Sequence, residues 1–234
     1  RFWKWRMHGG AITLAKRFHK LTFKPDLILT TDMLNLPVFQ SLVKPSCPII
    51  IYFHENQFTY PWSPADKDVD LQRDKHYGFI NYSSTLSADH IYFNSQFHMD
   101  SFFIGLEDFL RQFPDYREIQ NIERIMRKSS VLHLGMDLKK FDEYKIEKQA
   151  SDPPLILWNH RWEHDKNPDT FFNVLDKLAK NGLEFQLVVL GQEFKKELPC
   201  FTKARKSFNK HIIKFGYANT FENYAKWMWK ADIL

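Results

Sequence analysis

The chain has 234 residues, 44% of them hydrophobic, enough for one large α/β domain or two smaller ones and too many for a disordered chain. Its formal net charge of +5, from 33 Lys and Arg against 28 Asp and Glu, is too small to mark a nucleic-acid binder on its own. Cys47 and Cys200, each beside a proline and without CxxC spacing, argue against a disulfide framework or a zinc site and suit a reducing cytoplasm. The longest apolar runs, "CPIIIYF" and "FQLVVLG", are strand-sized, so no transmembrane helix is expected. "RFWKWRMHGGA" has neither an initiator Met nor the apolar core of a signal peptide, and "KADIL" stops where a strand ought to begin, so we expect a piece of a longer protein.

In chain order, a first helix is predicted over Gly10–Leu21, with Leu14, Phe18 and Leu21 on one face. The segment around it is basic: Arg1, Lys4, Arg6, Lys16, Arg17, Lys20 and Lys24 interleave with Trp3, Trp5, Phe18 and His19. Such a run permits RNA binding through phosphate contacts and stacking, or it is a solvated helix face behind a Trp-rich core edge. "PDLILTT" reads as a buried strand, "NLPVFQSLV" as a short helix and "CPIIIYF" as the next strand, which ends in the polar group His54-Glu55-Asn56-Gln57. "YPWSPADKDVDLQRD", Tyr60 to Asp74, is a Pro-rich charged loop.

The helix "KHYGFINYSSTLSAD", the strand "HIYFNS" and the helix "QFHMDSFFIGLEDFL", with Phe97, Phe102 and Leu106 among its apolar positions, continue the alternation. Next come a helix "YREIQNIERIMRK", a strand "SSVLHLGMD" and a charged stretch closing in Asp-Pro-Pro, the best linker signal in the chain. The boundary is placed there, giving a domain over residues 1–150 and the start of a second over 151–234. The second opens with the strand "PLILWN". Asn167 then reads as an N-cap, Pro168 as the first helical residue and Gly182 as the stop, with Phe171, Val174, Leu175 and Leu178 as the packing stripe. "EFQLVVLG", a basic helix near Thr202–Phe208, "HIIKFGY" and "FENYAKWMWKA" follow. Alternating strands and helices predict α/β architecture with parallel, doubly wound sheets.

Two constellations could carry chemistry. In "HRWEHDKNP", Arg161 and Lys166 precede a helix N-terminus whose free N–H groups favour an anion. A planar Arg fork and a mobile Lys charge suit a diphosphate, while Glu163 and Asp165 offer both side chains surface ion pairs instead. Spacing leaves both readings open. His54, Glu55, Asn56 and Gln57 have no packing reason to follow a buried strand, and Asn94 and Ser95 end the next strand in the same way, where doubly wound folds place ligands. His54 could hydrogen-bond a sugar hydroxyl or move a proton near neutral pH. His160 and His164 are four apart, but the HEXXH order is absent and no metal site is expected. Neither GXGXXG nor a Walker "GK[ST]" occurs.

"YFHENQFTYP", "FNSQFHMDSF" and "HRWEHDKNPDTFF" together resemble the tRNA-queuosine α-mannosyltransferase family, within the retaining family 4 glycosyltransferases of the GT-B fold. The resemblance implies two Rossmann-like domains across a cleft, the acceptor on the first and a nucleotide-sugar on the second. It implies GDP-mannose as donor, queuosine in the tRNA anticodon loop as acceptor, and neither a metal nor another cofactor. By motif, Arg161 and Lys166 match the pair that neutralises the donor diphosphate, and His54 the acceptor-domain His near the transferred sugar. Glu55, Asn56, Asn94 and Ser95 would line the acceptor side; Gly191 would border the diphosphate, and Gly216 and Tyr217 would lie where the base is read. "HLGMD" resembles the interdomain hinge, with Leu134 replacing its Asn. The family's Gly-rich loop and two-Glu donor motif would fall before Arg1 and after Leu234, so these residues alone are expected to be inactive. A glycosyltransferase with a lipid or small-molecule acceptor, and a non-catalytic RNA-binding protein of the same fold, are the alternatives.

Overall fold

A computed structural model of the chain describes residues 3–62, 68, 74–147, 153–191 and 198–234. Most of the loop between Tyr60 and Asp74, and part of the Asp-Pro-Pro approach, lie outside the described residues. The chain parts into two compact units, Arg1–Gly135 and Met136–Leu234. The division falls inside "HLGMD", earlier than the boundary near residue 150 read from composition. Residues from Met136 onward already belong to the second unit, because the short helix Lys139–Asp142 sets Phe141 edge-on to Phe221 at 4.9 Å and its Phe141 carbonyl accepts from Trp229 Nε1 at 2.7 Å.

The first unit runs α1 (Trp3–Phe18), β1 (Ile28–Thr31), α2 (Leu36–Val43), β2 (Ile49–Phe53), α3 (Asp74–Ser87), β3 (His90–Phe93), α4 (Gln96–Arg111), α5 (Asn121–Met126) and β4 (Ser129–Val131). Its sheet has order β1-β2-β3-β4, all parallel. Both faces of a parallel sheet are covered by helices, so its central strands are continuous apolar runs rather than alternating ones. Ile49, Ile51, Phe53, Ile91 and Phe93 are accordingly buried. Phe102 and Leu106 of α4 close one face, with Phe53, Phe93 and Phe102 mutually in ring contact near 5.1 Å. Each such side chain contributes about 1.5–3 kcal/mol by leaving water.

In this unit α1 and α4 differ from expectation in the faces they bury, and the helix predicted over "YREIQNIERIMRK" is confined to Asn121–Met126. α1 starts at Trp3 and runs through Gly9 and Gly10, burying Met7, Ala11 and Ala15, while Leu14 and Leu21 stay exposed. Two internal glycines weaken a helix by about 1 kcal/mol each. Packing outweighs that, since Trp3 stacks into Trp62 and Tyr77 at 5.7 and 5.1 Å. On α4, Phe97 is 83% exposed, because the buried face follows Phe102, Leu106 and Phe109.

The second unit continues with α6 (Lys139–Asp142), β5 (Leu155–Trp158), α7 (Pro168–Lys180), β6 (Gln186–Leu190), α8 (Pro199–Ser207), β7 (Ile212–Gly216) and α9 (Phe221–Lys230). The parallel order is β5-β6-β7, and Ile233 makes an isolated parallel bridge to Ile156 on the other side of β5. α7 packs through Phe172 and Leu175, with Val174 half exposed, a rotation of the predicted stripe.

Candidate functional site

In the second unit, the carboxyl ends of β5, β6 and β7 surround a pocket of about 410 Å³. Asn159, His160 and Arg161 line it after β5, Leu190 and Gly191 at the end of β6, and Tyr217 to Thr220 with Phe221 and Tyr224 beyond β7. Parallel sheets place ligands at this edge because every loop there follows a strand's last residue.

Trp162 holds the β5 loop in place. It is buried, stacks on Phe201 at 4.6 Å, meets Phe215 edge-on at 5.0 Å and donates from Nε1 to the Leu190 carbonyl at 3.2 Å. Gly191 lies directly against this loop with φ +142°, where a Cβ would come within 2.5 Å of the His160 carbonyl and 2.6 Å of Trp162 Nε1. A glycine is needed at this point because the His160 backbone and the Trp162 ring fill the space a Cβ would take. Gly216 also has positive φ and ends β7, next to the exposed Tyr217, and does not itself line the pocket.

Arg161 and Lys166, read together as a clamp, each pair with a neighbouring carboxylate. Arg161 lines the pocket and pairs with Glu163 at 3.1 Å, both side chains partly solvated. Lys166 ends the 3-10 turn His164–Lys166, pairs with Asp165 at 2.7 Å and does not line the pocket. Asn167 is left-handed, with φ 52°, and makes no side-chain cap; its N–H closes the preceding turn onto the His164 carbonyl at 3.0 Å. Sequence reading passed over Asn159, Asn219, Thr220 and Tyr224. Thr220 carried a usable signal as the α9 N-cap, accepting from the Asn223 N–H at 3.1 Å.

In the first unit, the four strand ends bring polar residues together. His54 follows β2. Its N–H donates to Asp32 Oδ1 at 3.0 Å, its Nδ1 lies 3.6 Å from the same oxygen, and its carbonyl accepts from Asn94 Nδ2 at 2.9 Å. Asp32 ends the β1 segment and is only 2% exposed. Burial pushes its carboxyl above the ordinary carboxylate range, opposed by hydrogen bonds from the His54 and Asp32 backbone N–H groups and by the His54 ring. His98, buried on α4, meets Asn94 Oδ1 through Nδ1 at 3.0 Å; burial, then the neighbouring His54, lower its pKa. His133 Nδ1 meets the Asn94 carbonyl at 3.1 Å after β4.

The remaining predicted acceptor residues are largely occupied locally. Asn56 is buried, and its side-chain oxygen accepts from the N–H groups of Phe58 and Thr59 at 3.1 and 3.0 Å, which builds the turn. Ser95 caps α4 by accepting from the His98 N–H at 3.1 Å. Glu55 accepts from Gln57 Nε2 at 3.5 Å. The turn is fixed by Phe58, whose Cβ would lie 2.7 Å from a methyl on Gly105 of α4 and whose ring would lie 2.9 Å from one on Gly78 of α3. Asp32 and His98 went unread; Asp32 sits at the end of "LILTT", the position logic that singled out His54.

On α1 of the same unit, Trp5, Arg6, Gly9, Gly10 and Arg17 help line an open pocket of about 540 Å³. Among the described residues no three His, Cys, Asp or Glu group as a metal site, and no helix is long and apolar enough to cross a membrane.

The family model for the N-terminal domain of tRNA-queuosine alpha-mannosyltransferase matches residues 1–136. A curated relative, the tRNA-queuosine alpha-mannosyltransferase of Drosophila melanogaster, is 29% identical over 244 residues, covering 99% of this chain and 62% of the relative. The chain thus spans under two thirds of that relative's length. Among solved structures, sucrose-phosphate synthase from Thermosynechococcus elongatus is similar with TM-score 0.62 and 14% identity, over 99% of this chain and 54% of that one. The UDP-forming α,α-trehalose-phosphate synthase from Burkholderia xenovorans gives TM-score 0.62 and 15% identity, over 96% and 55%. At these identities the two structures establish the fold, which is GT-B. With more than half of its length matched by the family model, the chain belongs to the tRNA-queuosine α-mannosyltransferase family.

Proposed function

We propose that the protein acts in transfer of a hexose, mannose from GDP-mannose, to queuosine in the tRNA anticodon loop, with retention at the anomeric carbon and without a metal, in the cytoplasm. The observation that carries the donor half is the pocket in which Arg161 adjoins the side-chain-free wall at Gly191. A guanidinium fork matches two phosphate oxygens, and the pocket it lines lies at the strand ends where parallel sheets place ligands. In the reaction the bond from the anomeric carbon to the diphosphate breaks, its electron pair leaving on the phosphate oxygen. The acceptor oxygen bonds to the same face, and its proton passes to the departing phosphate. Charge on that leaving group is where fixed cations act most strongly.

Arg161 must exchange Glu163 for the diphosphate as donor binds. Lys166, held by Asp165, is assigned a supporting electrostatic role with the α7 N-terminus. Tyr217, exposed at the rim, supplies a face for the nucleotide base. In the first unit His54 is the substrate-hydroxyl contact, with Asn94 shaping it. The RNA acceptor is supported by the relative's name and by the pocket of Trp5, Arg6 and Arg17 on α1, where an aromatic face and two guanidinium groups suit a base and its phosphates.

The test incubates the full-length protein with GDP-mannose, UDP-glucose and other donors and with queuosine-containing tRNA, following product mass. A hexose added to queuosine from GDP-mannose is the expected result. No addition to that tRNA from any donor overturns the acceptor assignment.

A further inference from the structure

We infer that Asp32 is the positioning residue of His54: its carboxylate holds the imidazole as the Nδ1–H tautomer, leaving Nε2 unprotonated to accept a hydrogen bond from a substrate hydroxyl. The inference rests on the reading of His54 as a substrate contact and adds the device that sets which of its nitrogens carries the proton.

Three contacts converge on residue 54. Its N–H and its Nδ1 both address Asp32 Oδ1, at 3.0 and 3.6 Å, and Asn94 Nδ2 holds its carbonyl at 2.9 Å. The backbone is therefore fixed from two strand ends while the ring stays half solvated, 51% by side chain. Asp32 is fixed in turn: Asn81 of α3 donates to its carbonyl at 3.0 Å, and Asn81 Oδ1 receives the Gln57 N–H at 2.8 Å.

The carboxylate is buried at a cost that hydrogen bonds must offset. Among the described residues, and apart from its own backbone, the groups addressing it are the N–H and ring of His54. A neutral side chain could serve the backbone N–H alone. A carboxylate adds an acceptor with charge facing Nδ1, and such a group selects the Nδ1–H form, as an orienting carboxylate does in hydrolytic triads. The other groups near the ring are Tyr52, centroid to centroid 4.8 Å, and His98, which is directed to Asn94 Oδ1. Among the described residues none of them hydrogen-bonds the His54 ring, so Asp32 meets no competitor at Nδ1. At 3.6 Å the contact is of ion-pair length and longer than a hydrogen bond, so the carboxylate acts on Nδ1 by its charge unless the two close up when substrate binds.

The experiment is ¹⁵N NMR of the histidine rings in the full-length protein at about pH 8, where an ordinary imidazole is neutral, with the His54 signals identified by their loss in His54→Gln. The expected result is an Nδ1–H tautomer in the unaltered protein and a larger Nε2–H share in Asp32→Asn, which is isosteric and preserves the backbone contact, and in Asp32→Ala. Both variants should also lose about tenfold in kcat/KM, the loss of one hydrogen bond to substrate. An Nε2–H tautomer in the unaltered protein, or an unchanged tautomer in the variants that fold, overturns the inference. The tautomer is read without turnover, so absence of glycosyl transfer would overturn the proposed function and leave this result to stand on its own.

Discussion

Replacing Gly191 by Ala tests the donor pocket where its backbone is tightest. The added Cβ would sit 2.5 Å from the His160 carbonyl, 2.6 Å from Trp162 Nε1 and 2.7 Å from its Cδ1, on a residue whose φ is +142°. Neither neighbour yields cheaply: Trp162 is stacked on Phe201 at 4.6 Å and bonded to the Leu190 carbonyl at 3.2 Å. Backbone strain of about 1–3 kcal/mol and overpacking of a further 1–3 kcal/mol give a destabilisation of about 2–6 kcal/mol, a large share of a typical total of about 5–15 kcal/mol. Gly182→Ala is the control. There φ is +76° but the new methyl meets open space, so about 1–2 kcal/mol of left-handed backbone strain is all that is expected. Urea unfolding of both variants, followed by Trp fluorescence, gives the difference. A Gly191→Ala variant no less stable than Gly182→Ala would refute the claim that this wall must lack a side chain.

Glu163→Gln should tighten nucleotide-sugar binding by up to roughly fivefold, since it removes an exposed ion-pair competitor worth about 0.2–1 kcal/mol. Arg161→Ala should weaken it by about 1.5–3 kcal/mol, and calorimetric titration with GDP-mannose that shows neither change removes Arg161 from the site. The double variant Arg6→Ala, Arg17→Ala should lower the salt slope of tRNA binding by about 1.5–2; an unchanged slope places the RNA elsewhere. For Asp32, whose folded pKa is raised by burial, the associated stability is present below the unfolded carboxyl value near 4 and lost as pH rises through the folded value. Asp32→Asn should therefore gain melting temperature relative to the unaltered protein as pH rises above about 4. A pH-independent difference between the two melting curves would contradict a strained buried carboxyl.

Strand positions were legible because a parallel strand buried on both faces must be a short unbroken apolar run, as in "IIIYF" and "LILW". The same reasoning located His54, Asn94 and Arg161 at strand ends. Side-chain allegiance was not legible: whether Lys166 serves an anion or Asp165 is not set by spacing, and the left-handed turn at Asn167 falls on a non-glycine residue, which carries only a weak signal for that conformation. Asn56 and Ser95 look like ligand groups in sequence, yet both serve their own backbone as turn and cap. The start of α1 was misread because Gly9-Gly10 signals a break, whereas contacts of Trp3 with residues distant in sequence decide it. Asp32 escaped notice because a single acidic residue after a strand has no local partner; its partner arrives from β2.

Phe58 ties the fate of the His54 turn to two helices that carry no reacting group. Gly105 faces its Cβ, which cannot swing aside, while Gly78 faces only the far edge of its ring. Residues 58 and 105 are therefore free to change only together, and a methyl group at 105, in the middle of α4, would act on substrate handling as a change in how the loop seats rather than in what it carries.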